Sequence, residues 1–208
     1  VVVLGYRSDQ METFFRKKGF SGIVTVINEE YNKKNGISLL KASEKLEKGP
    51  FLLSMADHVF EKEYFKKFVS KASSLLENSD VLLSVDTDIE GVFDLDDATK
   101  VFTEGSLITK IGKDLKAYNC IDTGLFLCNW KIFDKLDAIY KKEGDVSISE
   151  GMKALADDSK FSFVDMTGHL WQDVDTPSMK NEAEERLIDN FIAKEPEFRF
   201  FSNVFFQK

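Results

Sequence analysis

Cysteine, proline and long apolar runs are scarce in this sequence, and each scarcity excludes a class of protein. The two cysteines, Cys120 and Cys128, both fall in the apolar run 120–130, which argues against a disulfide framework or thiolate metal site and for buried free thiols. Three prolines and twelve glycines among 208 residues leave no convincing tether. There is also no repeat or low-complexity segment, so a single domain over 1–208 is expected. No stretch approaches the roughly 18 apolar residues of a membrane span, and none reads as a basic-then-apolar signal. A cytoplasmic location is the default expectation. Basic residues are outnumbered, 28 against 36 acidic for a net charge of -8, which argues against a nonspecific nucleic-acid binder or a protein adsorbed to anionic lipid. Small anionic partners, met in local basic pockets, fit this balance.

What is present is an alternation of strand and helix signals. Val1 to Leu4 is a β-branched run suited to a strand buried on both faces, followed by Gly5 and a helix start at Ser8 or Asp9. Met11, Phe14 and Phe15 share a helical face, Gly19 can cap it, and Ile23 to Ile27 reads as the next strand. Leu39, Leu40, Ala42 and Leu46 mark a second helix, Phe51 to Met55 a strand, Phe65 to Leu76 a third helix and Val81 to Val85 a strand. The pattern implies a parallel sheet covered on both sides. From about 91 to 128 it changes to short runs split by Glu104-Gly105 and Gly112, which read as hairpins in an antiparallel excursion forming one wall of a pocket. Trp130 to Tyr140 and Ser147 to Leu155 read as helices and Phe161 to Val164 as a strand. Thr176 and Pro177 open a last helix whose apolar face is Ala183, Leu187, Ile188, Phe191 and Ile192.

Two acidic motifs carry the chemistry. Ser54-Met55-Ala56-Asp57-His58 ends an apolar strand in a carboxylate, and open α/β folds bind ligands at the carboxyl ends of such strands. Asp57 reads either as the N-cap of the following helix or as a metal ligand, and His58 as a structural hydrogen-bonding group or a ligand contact. In Trp171-Gln172-Asp173-Val174-Asp175-Thr176-Pro177, alternation puts Asp173 and Asp175 on one side of an extended segment. Capping needs at most one of them, and the other can share a Mg²⁺ with Asp57, since this cation takes one or two protein carboxylates. Asp86-Thr87-Asp88, after the strand at 81–85, competes as the Asp-x-Asp of a nucleotide-sugar-dependent glycosyltransferase or reads as a solvated loop. Lys110 and Lys113 flank Ile111-Gly112 on the antiparallel wall, where a lysine can neutralise a phosphate. Asn35-Gly36-Ile37-Ser38-Leu39 opens a helix with small polar groups suited to base or phosphate contact, or is simply its cap. Asp122-Thr123-Gly124 can bind polyol hydroxyls or form an ordinary turn.

Taken in order, the pieces 1–7, 35–39, 51–60, 121–128 and 171–187 resemble the sugar-1-phosphate nucleotidyltransferase superfamily over nearly the whole chain. Met55-Ala56-Asp57-His58, Asp97-Ala98-Thr99-Lys100-Val101, Ile111-Gly112-Lys113-Asp114-Leu115 and Trp171 to Pro177 are most similar to the inositol-1-phosphate cytidylyltransferases. The resemblance implies a Rossmann-like, doubly wound, mostly parallel α/β sheet with a small antiparallel insertion, the GT-A-like nucleotidyltransferase fold. It implies that CTP and inositol 1-phosphate are joined with Mg²⁺ to give CDP-inositol, with a membrane CDP-alcohol phosphotransferase downstream; a hexose 1-phosphate or phosphocholine is the alternative acceptor. Asn35, Ser38, Met55, Ala56 and Asp57 would meet the nucleotide, and His58, Lys113, Asp122, Thr123 and Gly124 the acceptor. Asp57 and Asp175, with Asp173 as the other candidate, would hold the metal, and Asp57, Lys113 and Asp175 would carry catalysis. Members of this superfamily begin with a strand and a Gly-rich, Arg- and Lys-bearing triphosphate loop. The present sequence starts after that region, so an N-terminally incomplete chain with exposed strand edges is expected.

Overall fold

A computed structural model describes residues 1–194, with side chains described through residue 188. In chain order, β1 (Val2–Leu4), α1 (Ser8–Lys18) and β2 (Thr25–Ile27) precede α2 (Gly36–Ala42), β3 (Phe51–Ser54), β4 (His58–Phe60) and α3 (Tyr64–Ala72). Then come β5 (Val81–Asp86), β6 (Lys100–Glu104), β7 (Leu107–Gly112) and β8 (Cys120–Cys128). The chain continues with α4 (Lys131–Glu143), α5 (Ile148–Asp157), β9 (Phe161–Asp165), β10 (Trp171–Asp173) and α6 (Pro177–Lys194).

The main sheet has the order β3-β8-β5-β9-β7-β6, and β6 also pairs with the start of β8, so the pairing closes on itself. β5 lies at its centre with all six residues buried. Because successive side chains alternate across a strand, Val81, Leu83 and Val85 enter the core beneath α2, α4 and α5. Leu82 points the other way, to Tyr64, Phe68 and Ala72 of α3. Helices therefore cover both faces, as expected for an α/β fold.

The sheet is mixed, not mostly parallel. Among the described residues only β1 with β2 and β5 with β9 run parallel. β8 lies between β3 and β5 and runs against both. A continuous apolar run reports burial on two faces, and a strand at the middle of a sheet is buried whichever way it runs. The 91–128 stretch accordingly contains two different things: a β6–β7 hairpin turning at Gly105, and the long central strand β8.

β1 is not buried on both faces either. Among the described residues it pairs only with β2, and it packs against α2; Leu4 is buried, while Val2 and Val3 are half-buried and Val1 is exposed. α1 is capped by Gly19 as expected but buries none of its residues. The final helix starts as read from sequence, with Met179 N–H donating to the Thr176 hydroxyl at 3.2 Å and Ala183 buried. The side chains of Phe191 and Ile192 lie outside the described residues.

Candidate active site

A bulge in β8 shapes the floor of the main cavity. Leu83 of β5 faces Phe126 and Val85 faces Asp122, so the single residue Ser84 stands opposite Thr123, Gly124 and Leu125. The two excess residues leave the alternation of β8 in phase. Thr123 turns into the core, where its hydroxyl donates to the Ser84 carbonyl at 3.0 Å and accepts from the Tyr64 hydroxyl at 3.1 Å. The Tyr64 hydroxyl also lies 2.7 Å from the Ser84 hydroxyl. Asp122 and Gly124 turn outward and line the cavity.

The segment carrying Asp57 is held from two sides. Met55 N–H donates to the Gly124 carbonyl at 3.0 Å, and Val174 N–H donates to the Asp57 carbonyl at 2.8 Å. β4, too short to register as a hydrophobic period, pairs antiparallel with β10 and sets His58 opposite Asp173 and Phe60 opposite Trp171. Asp57 is therefore not a helix cap: α3 begins seven residues later, after Glu63, without a side-chain cap. Its carboxylate is 53% exposed and accepts from His58 Nδ1 at 2.8 Å.

These supports gather Asp57, Asp122, Asp173 and Asp175 with Asp97 and Lys113 around a cavity of about 160 Å³. A more open groove of about 590 Å³ adjoins it and shares Ile111, Lys113 and Ser149 with it, and the two together have the size of a small-molecule site. Lys113 Nζ donates to Asp97 Oδ2 at 2.7 Å between half-exposed partners. Enclosure pushes the Asp122 carboxyl up to about 6, against the opposing pull of the Gly124 N–H and of His58. Burial also raises the Asp173 carboxyl, with Asp175 and Asp94 adding to the shift and His58 opposing it.

Several expected contacts fall elsewhere. Thr123 is fully buried and hydrogen-bonded inward, so it cannot meet a polyol. Ser38 accepts from the buried Asn28 amide at 3.0 Å and does not line the cavity. Ala56 is exposed but also outside the lining, whereas Met55 and Asn35 belong to it. The Asn35 side-chain oxygen accepts from Ile148 N–H at 2.9 Å. Gly36 permits a close approach to the chain's own backbone: a Cβ there would stand 2.5 Å from the Val146 carbonyl oxygen. Lys110 lines only the adjoining groove, with its ammonium 5.6 Å from the Phe102 ring centre.

Asp86 and Asp88 are structural. Asp86 is 9% exposed and accepts from Trp171 Nε1–H at 2.8 Å and from Asp88 N–H at 2.9 Å, while Asp88 accepts from Gly91 N–H. Neither lines the main cavity, so the Asp-x-Asp of a glycosyltransferase is not assembled there. Asp97 and Trp171 carry more of the site than their sequence context showed. The hairpin pairing of Lys100 with Gly112 was the signal that Asp97 and Lys113 would end up together.

No family model matches the chain. Among curated proteins it is similar to the "bifunctional IPC transferase and DIPP synthase" of Thermococcus kodakarensis, with 34% identity over 178 residues, covering 85% of this chain and 38% of that protein. The protein of the same name from Archaeoglobus fulgidus is 29% identical over 188 residues, 90% of this chain and 35% of its own length. Among solved structures, the inositol-1-phosphate CTP transferase from T. maritima superposes with a TM-score of 0.76 at 25% identity, covering 92% of this chain and 76% of that one. The chain is thus similar, over most of its own length, to proteins with these names. A UDP-glucose pyrophosphorylase, at 14% identity and a TM-score of 0.69 over 90% of this chain and 80% of its own, shares the fold alone. The α/β nucleotidyltransferase fold is thereby shown. The chain spans little more than a third of the length of the curated relatives it matches. Among the described residues no helix is long and apolar enough to cross a membrane.

Proposed function

We propose that this chain carries a Mg²⁺-dependent cytidylyltransferase site, joining CTP and L-myo-inositol 1-phosphate to give CDP-inositol and pyrophosphate. The observation that carries the reading is the charge of the cavity: among the described residues five aspartates line it against a single lysine, in a chain whose relatives bear the names above. Two phosphate-bearing anions cannot enter such a pocket without added positive charge, because like charges a few ångströms apart repel strongly away from bulk water.

Asp57 and Asp175 are the carboxylates suited to hold the cation. Asp57 takes one side-chain hydrogen bond, from His58, and Asp175 takes none among the described residues, while Asp173 is partly engaged by the Gln172 amide at 3.3 Å. Among the described residues no group of three or more metal-binding side chains is assembled, which suits Mg²⁺: it takes one or two carboxylates and leaves its other positions to water and phosphate. When bound, it would offset phosphate charge and orient the α-phosphate.

Lys113 leaves Asp97 for the substrate phosphate. An exposed pair of this kind contributes only about 0–1 kcal/mol, so exchanging one anion for another costs little. Asp122 accepts from acceptor hydroxyls, while Asn35 and Met55 line the nucleotide side. A phosphate oxygen of inositol 1-phosphate attacks the α-phosphorus of CTP in line; the new P–O bond forms as the bond to the β-phosphate oxygen breaks, and pyrophosphate departs. The nucleophile is already ionised near neutral pH, so no general base is required. Positioning and charge neutralisation supply the acceleration. A membrane CDP-alcohol phosphotransferase would consume the CDP-inositol.

The test is pyrophosphate release by the full-length protein with Mg²⁺, each of four nucleoside triphosphates, and inositol 1-phosphate, phosphocholine or glucose 1-phosphate. Release confined to CTP with inositol 1-phosphate is expected. Asp57→Asn should abolish it without lowering the melting temperature, since a half-exposed carboxylate adds little to the core. Release with none of the pairs, or undiminished release by Asp57→Asn, overturns the assignment.

A further inference from the structure

Asp57, the half-exposed carboxylate proposed to hold the cation, has a well-packed neighbour as its one side-chain hydrogen-bond partner among the described residues. His58 Nδ1 lies 2.8 Å from Asp57 Oδ1. A carboxylate only accepts, so this ring nitrogen carries the proton. The ring is 16% exposed and closely packed. Gly124 lies so near that any Cβ there would stand 2.3 Å from His58 Cδ2 and 2.6 Å from Nε2. The Trp171 ring lies 11° from parallel with centroids 6.2 Å apart. Trp171 is itself anchored, its indole N–H donating to the buried Asp86 at 2.8 Å. The bulge of β8, the pairing of β4 with β10 and the Asp86 anchor therefore all converge on one imidazole.

We propose that His58 is a positioning residue, packed against Gly124 and Trp171, whose Nδ1–H fixes the rotamer of Asp57 for the divalent cation. This rests on the reading of Asp57 as the cation's carboxylate. Orienting partners of metal ligands are worth about 10–100-fold in metal affinity, and a rotamer-free Asp57 would lose that advantage.

Two substitutions separate orientation from bulk. Asn carries its amide nitrogen on Cγ, where His carries Nδ1, whereas Gln carries it one atom farther out, near the place of Nε2. Mn²⁺ binding is followed by electron paramagnetic resonance, with and without CTP, in wild-type protein, His58→Asn and His58→Gln, with melting curves for each. His58→Asn should stay within about three-fold of wild type and His58→Gln should weaken Mn²⁺ about 10-fold or more, and Asp57→Asn should lose the site. Independently of any variant's folding, ¹⁵N NMR of the wild-type imidazole should show Nδ1 protonated. A bare Nδ1, or Mn²⁺ affinity unchanged in His58→Gln, overturns the proposal while leaving the cation reading intact. A wild-type protein with no Asp57-dependent Mn²⁺ site overturns both. Neither readout depends on which nucleotide or acceptor the enzyme uses, so a wrong substrate assignment would leave them standing.

Discussion

Replacing Asp122 by Asn removes a charge that the folded protein holds in an unfavourable place. Enclosure in the cavity floor raises this carboxyl from 3.8 to about 6. Each pKa unit corresponds to about 1.4 kcal/mol, so ionised Asp122 opposes folding by about 3 kcal/mol at most. Because the folded value lies above the unfolded one, the penalty is complete above pH 6, shrinks as the pH falls from 6 towards 3.8, and is absent below that. The neutral amide avoids it, and its side-chain oxygen can still accept from Gly124 N–H, which now donates to Asp122 at 2.7 Å.

Urea unfolding of the two proteins should therefore show Asp122→Asn more stable by up to about 3 kcal/mol near pH 7.5, and by only about 0.5 kcal/mol near pH 4. Activity should move the opposite way. If Asp122 accepts from the acceptor's hydroxyls, loss of a hydrogen bond to a charged group, about 1.5–3 kcal/mol, should raise KM for inositol 1-phosphate about 10-fold or more. A variant destabilised at neutral pH, or stabilised equally at both pH values, refutes the assignment of the raised pKa to enclosure of a charge.

Two further substitutions test the support of the site. Tyr64→Phe removes the hydroxyl that joins Ser84 to Thr123 and leaves buried oxygens without that partner, so a loss of about 1–3 kcal/mol is expected by urea unfolding; an unchanged midpoint would remove the network from the account of the bulge. Gly124→Ala places a methyl 2.3 Å from His58 at a backbone φ of +77°, so it should lower both the melting temperature and the rate of pyrophosphate release. A fully active Gly124→Ala protein would mean that the His58 ring is free to leave its slot.

Much of the α/β alternation could be read from the sequence because amphipathic helices and apolar strands announce themselves locally. The capping box of α5, where Ser147 and Glu150 bond reciprocally, and the Thr176-Pro177 start of α6 are cases where side chains fix a boundary. The antiparallel pairing of the 91–128 stretch was legible in its short, Gly-split runs, but the place of Cys120 to Cys128 was not: it lies at the centre of the main sheet between β3 and β5 and not on one wall, because an apolar run reports burial and not position. β4 was invisible for another reason: three residues make no period, and its existence depends on β10, more than one hundred residues away. Thr123 was misplaced because the turn reading ignored alternation: β8 runs through this segment, so with Asp122 and Gly124 turned to the cavity, Thr123 between them faces the opposite side, towards Tyr64.

The aspartates show why the candidate site was only partly legible. Asp57, Asp86 and Asp122 all follow or sit within apolar strands, and the local pattern gives each a structural reading beside a functional one. What separates them is the number of donors the protein already supplies. Asp86 receives an indole N–H and a backbone N–H on its two oxygens and is nearly buried, so its charge is satisfied internally and a cation would add little. Asp122 receives one backbone N–H in a walled position, so its charge is under-compensated and its proton is held more tightly. Asp57 receives one imidazole N–H and lines the open cavity, which leaves its oxygens free to take a further partner. The Trp171 indole makes the first of these serve the last. By engaging Asp86 it holds the ring that packs against His58, and a carboxylate outside the cavity thereby helps to set the orientation of the one inside it.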